Sequence, residues 1–237
     1  MSDVNSRGSR DFMVNSKYLK NRSAVVTLSG GQDSSTLLFW AKQTFGKVVA
    51  VSFSYGQKHS IELEKAKKIA KIANVEHHIL DVSLLNQLAP NALTRVDIEV
   101  PSYDENLEGE PTTVVRGRNG LFAWLTSIFA STHGIDNIVL GVCQTDFSGY
   151  IDCRDMFVKS LQTAINLGVD EKIIIHTPLM WLDKVETWEM ADKLGVLDII
   201  EKETHTCYEG VEGGCKTCPS CVLRERALEK YKKIKGE

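Results

Sequence analysis

The residues best suited to chemistry fall in two groups: the loop Ser29-Gly30-Gly31-Gln32-Asp33-Ser34, and the thiols Cys207, Cys215, Cys218 and Cys221. The loop follows the apolar, β-branched run Ala24-Val25-Val26-Thr27-Leu28 and leads into Ser34-Ser35-Thr36 and the apolar Leu37-Leu38-Phe39-Trp40-Ala41. That order predicts a strand, a tight turn and a helix. Glycines let the backbone turn sharply and approach a ligand, and a new helix offers unpaired N–H groups and the positive end of its dipole. With hydroxyls beside them, such donors suit phosphate. Asp33 is a poor phosphate ligand, but it makes sense as a holder of Mg²⁺ or as an acceptor of loop N–H bonds. The loop lacks the Gly-Lys-Ser/Thr ending of a Walker motif, since no lysine follows Gly31 until Lys42. The bland alternative is a glycine turn with Asp33 or Ser34 as a helix N-cap.

The cysteines are spaced Cys207-x7-Cys215-x2-Cys218-x2-Cys221, with Gly210, Gly213 and Gly214 in the connecting loop. Two overlapping Cys-x2-Cys steps present three sulfurs to one ion, and Cys207 completes a tetrahedron. A closed four-sulfur site is the structural form of zinc, our first choice. An iron–sulfur cluster competes, although Glu225 stands where the ferredoxin run has its fourth cysteine. Redox or nucleophilic cysteines are a third reading. Lys216, Arg224 and Arg226 are near enough in sequence to offset the thiolate charge. Cys143 and Cys153 stand apart and read as small buried residues.

These groups need a scaffold. The 237 residues, 43% hydrophobic and 25% charged, suit one large domain with a small appendage. A net charge of −3 gives no global pull toward nucleic acid or anionic membrane. The central apolar run Leu121–Leu125 is broken by Thr126 and Ser127, so no membrane span is expected. Residues 1–22 are polar and without an apolar signal core, and read as a partly disordered lead-in. With no export signal, clustered thiols point to a metal in the cytoplasm.

Strand-like runs at 47–53, 77–82, 138–141 and 173–175 alternate with helical patterns at 61–72, 119–133, 154–167 and 184–194. A polar stretch at 86–113 holds three of the five prolines. Alternation of this kind predicts a doubly wound parallel α/β sheet whose strand-end loops share one edge. We divide the chain into the lead-in 1–22, an α/β domain at 23–200 and a four-cysteine region at 201–237. The Lys/Glu-rich tail from Glu225 reads as a solvated helix face.

Two further segments fall at that edge. Val115-Arg116-Gly117-Arg118-Asn119 opens a helix, and Gly141-Val142-Cys143-Gln144-Thr145-Asp146-Phe147-Ser148-Gly149-Tyr150 follows a strand. Their acids, amides and aromatics suit a planar, hydrogen-bonding ring. The Ser-Gly-Gly-x-Asp-Ser loop resembles that of the ATP pyrophosphatases. Together with Gly117-Arg118-Asn119, the run from Gly141 to Tyr150 and the cysteine spacing, it resembles the 7-cyano-7-deazaguanine synthase family over about residues 23–231.

The resemblance implies the adenine nucleotide α-hydrolase-like fold and a reaction consuming ATP, Mg²⁺, ammonia and 7-carboxy-7-deazaguanine. It implies nucleotide binding by Leu28, Ser29, Gly30, Gly31, Gln32, Asp33, Ser34, Ser35, Thr36, Leu37 and Leu38. Asp33, Ser34, Arg118, Asp146 and Lys159 become candidate catalytic residues, and Gln144, Asp146, Tyr150 and Arg154 candidate substrate contacts. It also implies a homodimer. Two rivals remain at this point: a tRNA-modifying, sulfur-inserting relative, and a zinc-bearing nucleotide sensor without turnover. Met180-Trp181-Leu182 and Trp188 serve either an interface or the core.

Overall fold

The structure, a computed structural model, describes residues 18–56, 61–89, 91–93, 98–104, 113–145 and 150–236. Five parallel strands form one sheet in the order β3-β2-β1-β4-β5. They are β1 (Ser23–Thr27), β2 (Lys47–Ser54), β3 (Glu76–Asp81), β4 (Asn137–Val139) and β5 (Ile174–His176). The helices are α1 (Gln32–Thr44), α2 (Ile61–Ile72), α3 (Leu84–Leu88), α4 (Arg118–Thr132), α5 (Asp155–Val169), α6 (Lys184–Lys193), α7 (Leu197–Glu203) and α8 (Pro219–Lys235). No described helix is long and apolar enough to cross a membrane.

Alternation along the strands sorts side chains to two faces. Val25, Val49, Val51 and Ile138 join a core with Ala123 and Ala130 of α4 and Val158 and Ile165 of α5. Ala24, Val26, Ala50 and Val139 face the other way, onto Leu37 and Leu38 of α1 and Ala66, Ile69 and Ala70 of α2. Both faces are covered, which is the doubly wound arrangement expected from the sequence. A third core joins Trp188 and Ala191 of α6, Ile200 of α7, and Ala227 and Tyr231 of α8.

The amphipathic helix expected over 61–72 lies at those bounds. Trp188 is fully buried and Met180 nearly so, whereas Trp181 is exposed. Helix α7 was not anticipated from the sequence. It has no capping side chain at Val196 and is short, and it is held by burial of Ile200 and by the Arg224 guanidinium on its last carbonyls. Helix α8 starts earlier than its charged tail implies, because Pro219 occupies its first turn after Cys218. Of the lead-in, residues 1–17 lie outside the described residues, while Arg22 O accepts from Gly46 N at 2.9 Å.

Candidate active site

Strand β1 pairs with β2 on one side and β4 on the other, so the connections leaving β1 and β4 diverge and open a crevice at the strands' carboxyl ends. A cavity of about 600 Å³ lies there, bounded by the β1–α1 loop, the first turns of α2 and α4, the segment after β4, and the residues between α7 and α8.

The β1–α1 loop is fixed by its own hydroxyls. Ser34 Oγ accepts from Ser29 N at 3.1 Å and lies 2.9 Å from Ser29 Oγ. Gly30 adopts φ +83°, and a Cβ there would sit 2.3 Å from the carbonyl oxygen of Glu62. Only glycine lets the loop lie against α2 this closely. Gly31 is the N-cap of α1 and no side chain caps the helix, so neither Asp33 nor Ser34 plays that part. The helix N-terminus is turned to the cavity, as an anion site requires.

Asp33 pairs with Lys184 instead of loop amides: its Oδ2 is 2.6 Å from Nζ, and its buried Oδ1 has no hydrogen-bond partner. Lys184 is delivered by α6, whose start is fixed by a capping box between Asp183 and Glu186. An unpartnered carboxylate oxygen beside an anion site fits a bound cation, and Asp33 is the residue that would hold Mg²⁺.

Across the cavity, Arg118 stands at the start of α4. Asn119 secures that turn, its backbone and side-chain nitrogens donating to the Asp152 carboxylate at 2.9 and 3.0 Å. The Arg118 guanidinium lies 5.6 Å from the Tyr150 ring centre and is bonded to the Tyr55 hydroxyl. Burial opposes its charge, but Tyr55, Tyr150, Tyr208 and Glu62 outweigh that and hold it protonated. Phe53 and Phe122 stack at 4.2 Å to extend the aromatic wall. Burial pushes Tyr55 up to about 12 and the Glu62 carboxyl up to about 7, with Arg118 opposing both shifts.

The sequence-assigned residues are thus distributed unevenly. Leu28, Ser29, Gly31, Gln32, Asp33, Ser34, Arg118 and Tyr150 line the cavity; Ser35, Thr36, Leu37 and Leu38 lie buried beneath it. Gln144 turns away, its Oε1 accepting from Asp155 N at 2.9 Å at the start of α5. Arg154 is exposed, and Lys159 pairs with Asp155 at 2.6 Å on the outer face of α5; neither lines the cavity. Asp146 lies outside the described residues. Cys143 and Cys153 are half-buried: each packs against a face of the core, as small apolar residues do, and each also reaches the cavity wall. Glu62, Lys184 and His205 were not singled out from the sequence, whereas Tyr55, which follows the second strand-like run, falls at the expected edge and lines the cavity. Glu62 is one of several charges on an amphipathic helix, and nothing local marks it.

The four sulfurs of Cys207, Cys215, Cys218 and Cys221 lie within 4.8 Å of one another. Cys218 caps α8 and Cys221 sits in its first turn, so the start of one helix delivers two of the four sulfurs. Cys218 N donates to Cys215 Sγ at 3.2 Å. A Cβ on Gly214, at φ +91°, would come within 3.1 Å of Cys221 Sγ. Four converging sulfurs fit a single tetrahedral ion; a multi-iron cluster, with each thiolate on its own iron, would spread them wider. The knot touches the cavity through His205, whose N–H donates to Gly30 O at 2.9 Å and whose Nε2 donates to Cys207 O at 3.1 Å.

An all-parallel α/β sheet with a Ser-Gly-Gly-x-Asp-Ser loop at its switch point defines an adenine nucleotide α-hydrolase-like protein of the pyrophosphate-loop class. The same fold occurs in a 4-thiouridine synthetase solved as an RNA complex with bound ATP, at TM-score 0.51 and 18% identity over 91% of this chain and 52% of that one. The family model described as "Queuosine biosynthesis protein QueC" matches residues 23–232, and the chain belongs to that family. It is 55% identical over 219 residues to the 7-cyano-7-deazaguanine synthase of Clostridium novyi (strain NT), spanning 91% of this chain and 98% of that one. It is 52% identical over 221 residues to the enzyme of the same name from Lysinibacillus sphaericus (strain C3-41), spanning 92% and 100%.

Proposed function

We propose that this chain is an ATP-dependent ligase that converts 7-carboxy-7-deazaguanine and ammonia to 7-cyano-7-deazaguanine through adenylated carboxylate and amide intermediates. The observation that carries this reading is one cavity of about 600 Å³ running from the pyrophosphate loop to the Arg118 guanidinium and its aromatic wall. It pairs an anion site with a flat, cation-bearing surface for a planar acid.

Carboxylate and amide oxygens are poor leaving groups until joined to a phosphate. In the proposed sequence the substrate carboxylate attacks the α-phosphorus of ATP, and ammonia then displaces AMP to give the amide. The amide oxygen is adenylated in turn, and loss of the second AMP leaves the nitrile. The chain orients reactants and stabilises charge; no covalent nucleophile is needed. Ser29, Ser34 and the first amides of α1 receive the departing pyrophosphate. Arg118 faces the carboxylate or the α-phosphate, and Tyr55, Phe122 and Tyr150 enclose the ring. Mg²⁺ held at Asp33 would supply further charge neutralisation on the phosphates.

We assign structural zinc to the four cysteines on the strength of their convergence and of a helix N-terminus beside them. Free ammonia is the nitrogen donor in this reading. A cytoplasmic homodimer acting on small molecules, not nucleic acid, completes the proposal; Met156 and Leu167, exposed on α5, offer apolar surface for such a contact.

The test is incubation of purified protein with ATP, Mg²⁺, ammonium and 7-carboxy-7-deazaguanine, followed by mass spectrometry. The expected products are the nitrile, AMP and pyrophosphate. Asp33→Ala should abolish turnover with the fold intact, and wild-type turnover from that variant would refute the loop assignment.

A further inference from the structure

Nitrogen enters the proposed reaction with three N–H bonds and ends, in the nitrile, with none. One proton leaves as ammonia displaces AMP to form the C–N bond of the amide. After the amide oxygen bonds to the α-phosphorus and pyrophosphate departs, the C(OAMP)=NH₂⁺ centre must lose a second proton. The third leaves as the C–O bond to AMP breaks and the C≡N bond forms. Adenylation alone removes none of these protons, so a base must stand beside the reacting carbon.

Among the described carboxylates at the cavity, Asp33 is neutralised by Lys184 at 2.6 Å and Asp104 is exposed. His205 Nε2 is committed to Cys207 O at 3.1 Å. Glu62 differs from all three. It stands in the first turn of α2, half-buried, and its own carbonyl oxygen is packed directly under Gly30 of the pyrophosphate loop. Its side chain lines the same cavity as Arg118 and Tyr55. Glu62 is therefore anchored between the phosphate end of the site and the group that faces the substrate's carboxyl carbon.

We propose that Glu62 is the general base that takes the nitrogen-bound protons, once in amide formation and twice in the dehydration of the amide, returning each to solvent before the next. This inference rests on the reaction proposed above. A carboxyl held near neutrality by burial is matched to that duty, because it both accepts and releases a proton at neutral pH. Placing the base on α2, next to the loop that holds pyrophosphate, lets one group serve both halves of the reaction without moving the substrate.

The experiment separates adenylation from deprotonation. ATP–pyrophosphate exchange is measured with 7-carboxy-7-deazaguanine in the absence of ammonium, a step in which no nitrogen loses a proton. Nitrile formation is measured separately from the amide and ATP. For Glu62→Gln we expect exchange within a few-fold of wild type and nitrile formation reduced by about 10²–10⁴-fold. Glu62→Asp, which keeps a carboxylate, should recover part of the rate. Wild-type nitrile formation by Glu62→Gln would overturn the proposal, and so would loss of exchange and nitrile formation together, which marks a packing role. Failure of the wild-type enzyme itself to exchange would overturn the underlying reaction, and the proposal with it.

Discussion

Glu62 carries a consequence for stability as well as for chemistry. Its carboxyl titrates near the ordinary 4.5 when unfolded and at about 7 when folded. Below the lower value both states are protonated and the residue costs nothing; between the two values the unfolded carboxyl ionises while the folded one stays largely protonated, so unfolding is progressively favoured. Stability therefore falls with rising pH from about 4.5 to about 7. Glu62→Gln should raise the unfolding free energy by about 2–3 kcal/mol at pH 8 and by less than about 1 kcal/mol at pH 5, measured by urea denaturation at both. Nitrile formation, which needs the ionised form, should run the opposite way and rise with pH through about 7. Gly30 is constrained at the same contact. Gly30→Ala forces a Cβ against the Glu62 carbonyl at a backbone angle that L residues avoid, and should cost more than about 2 kcal/mol and weaken ATP binding, read by thermal unfolding and calorimetry.

At the level of elements, the site depends on how helices begin. Helices α1, α4, α6 and α8 each start at the cavity or the cysteine knot, and each start is secured differently: the Ser29–Ser34 hydroxyl pair, the Asp152 carboxylate on Asn119, the Asp183–Glu186 box, and Pro219 after Cys218. Asp183→Ala should cost about 1 kcal/mol in thermal unfolding and also raise the KM for ATP, because the turn it caps presents Lys184 to Asp33. A loss of stability with unchanged KM would mean that Lys184 is positioned by other contacts. The helix and strand periods were readable along the chain because an apolar face must be buried to hold each element. Helix α7 was not, since its stability comes from Arg224, a residue more than twenty positions away.

For the molecule as a whole, the cysteine knot and the pyrophosphate loop form one unit. His205 bonds to Gly30 through its backbone and to Cys207 through its ring, and Arg224 of α8 lies over Trp188 of α6 at 5.3 Å. Metal loss should therefore reach the nucleotide site. Cys218→Ser is expected to lower metal content and the unfolding temperature, and chelation of the wild-type protein should weaken ATP affinity in step with the metal removed. Unchanged ATP affinity in the metal-free protein would show that the bridge through His205 carries no coupling. The knot is the most local of the functional features, with its four ligands inside one short segment, which is why spacing alone exposed it.

What the sequence determined unaided is whatever its local order encodes. That includes the phosphate loop between strand and helix, the four-cysteine spacing, and the alternation that requires a parallel sheet covered on both faces. Tertiary structure decided which distant side chains share the cavity. It set Lys184 on Asp33 across 151 positions, brought Glu62 and Tyr55 to Arg118, drew Cys143 and Cys153 to the cavity wall, and left Lys159 and Arg154 outside it. The physical reason is that a periodic pattern fixes which face of a helix is buried, while the direction of one polar side chain in its first turn depends on what the rest of the chain packs against it. Burial is likewise a property of the assembled fold, so the raised Glu62 carboxyl is decided only where the folded chain closes around it.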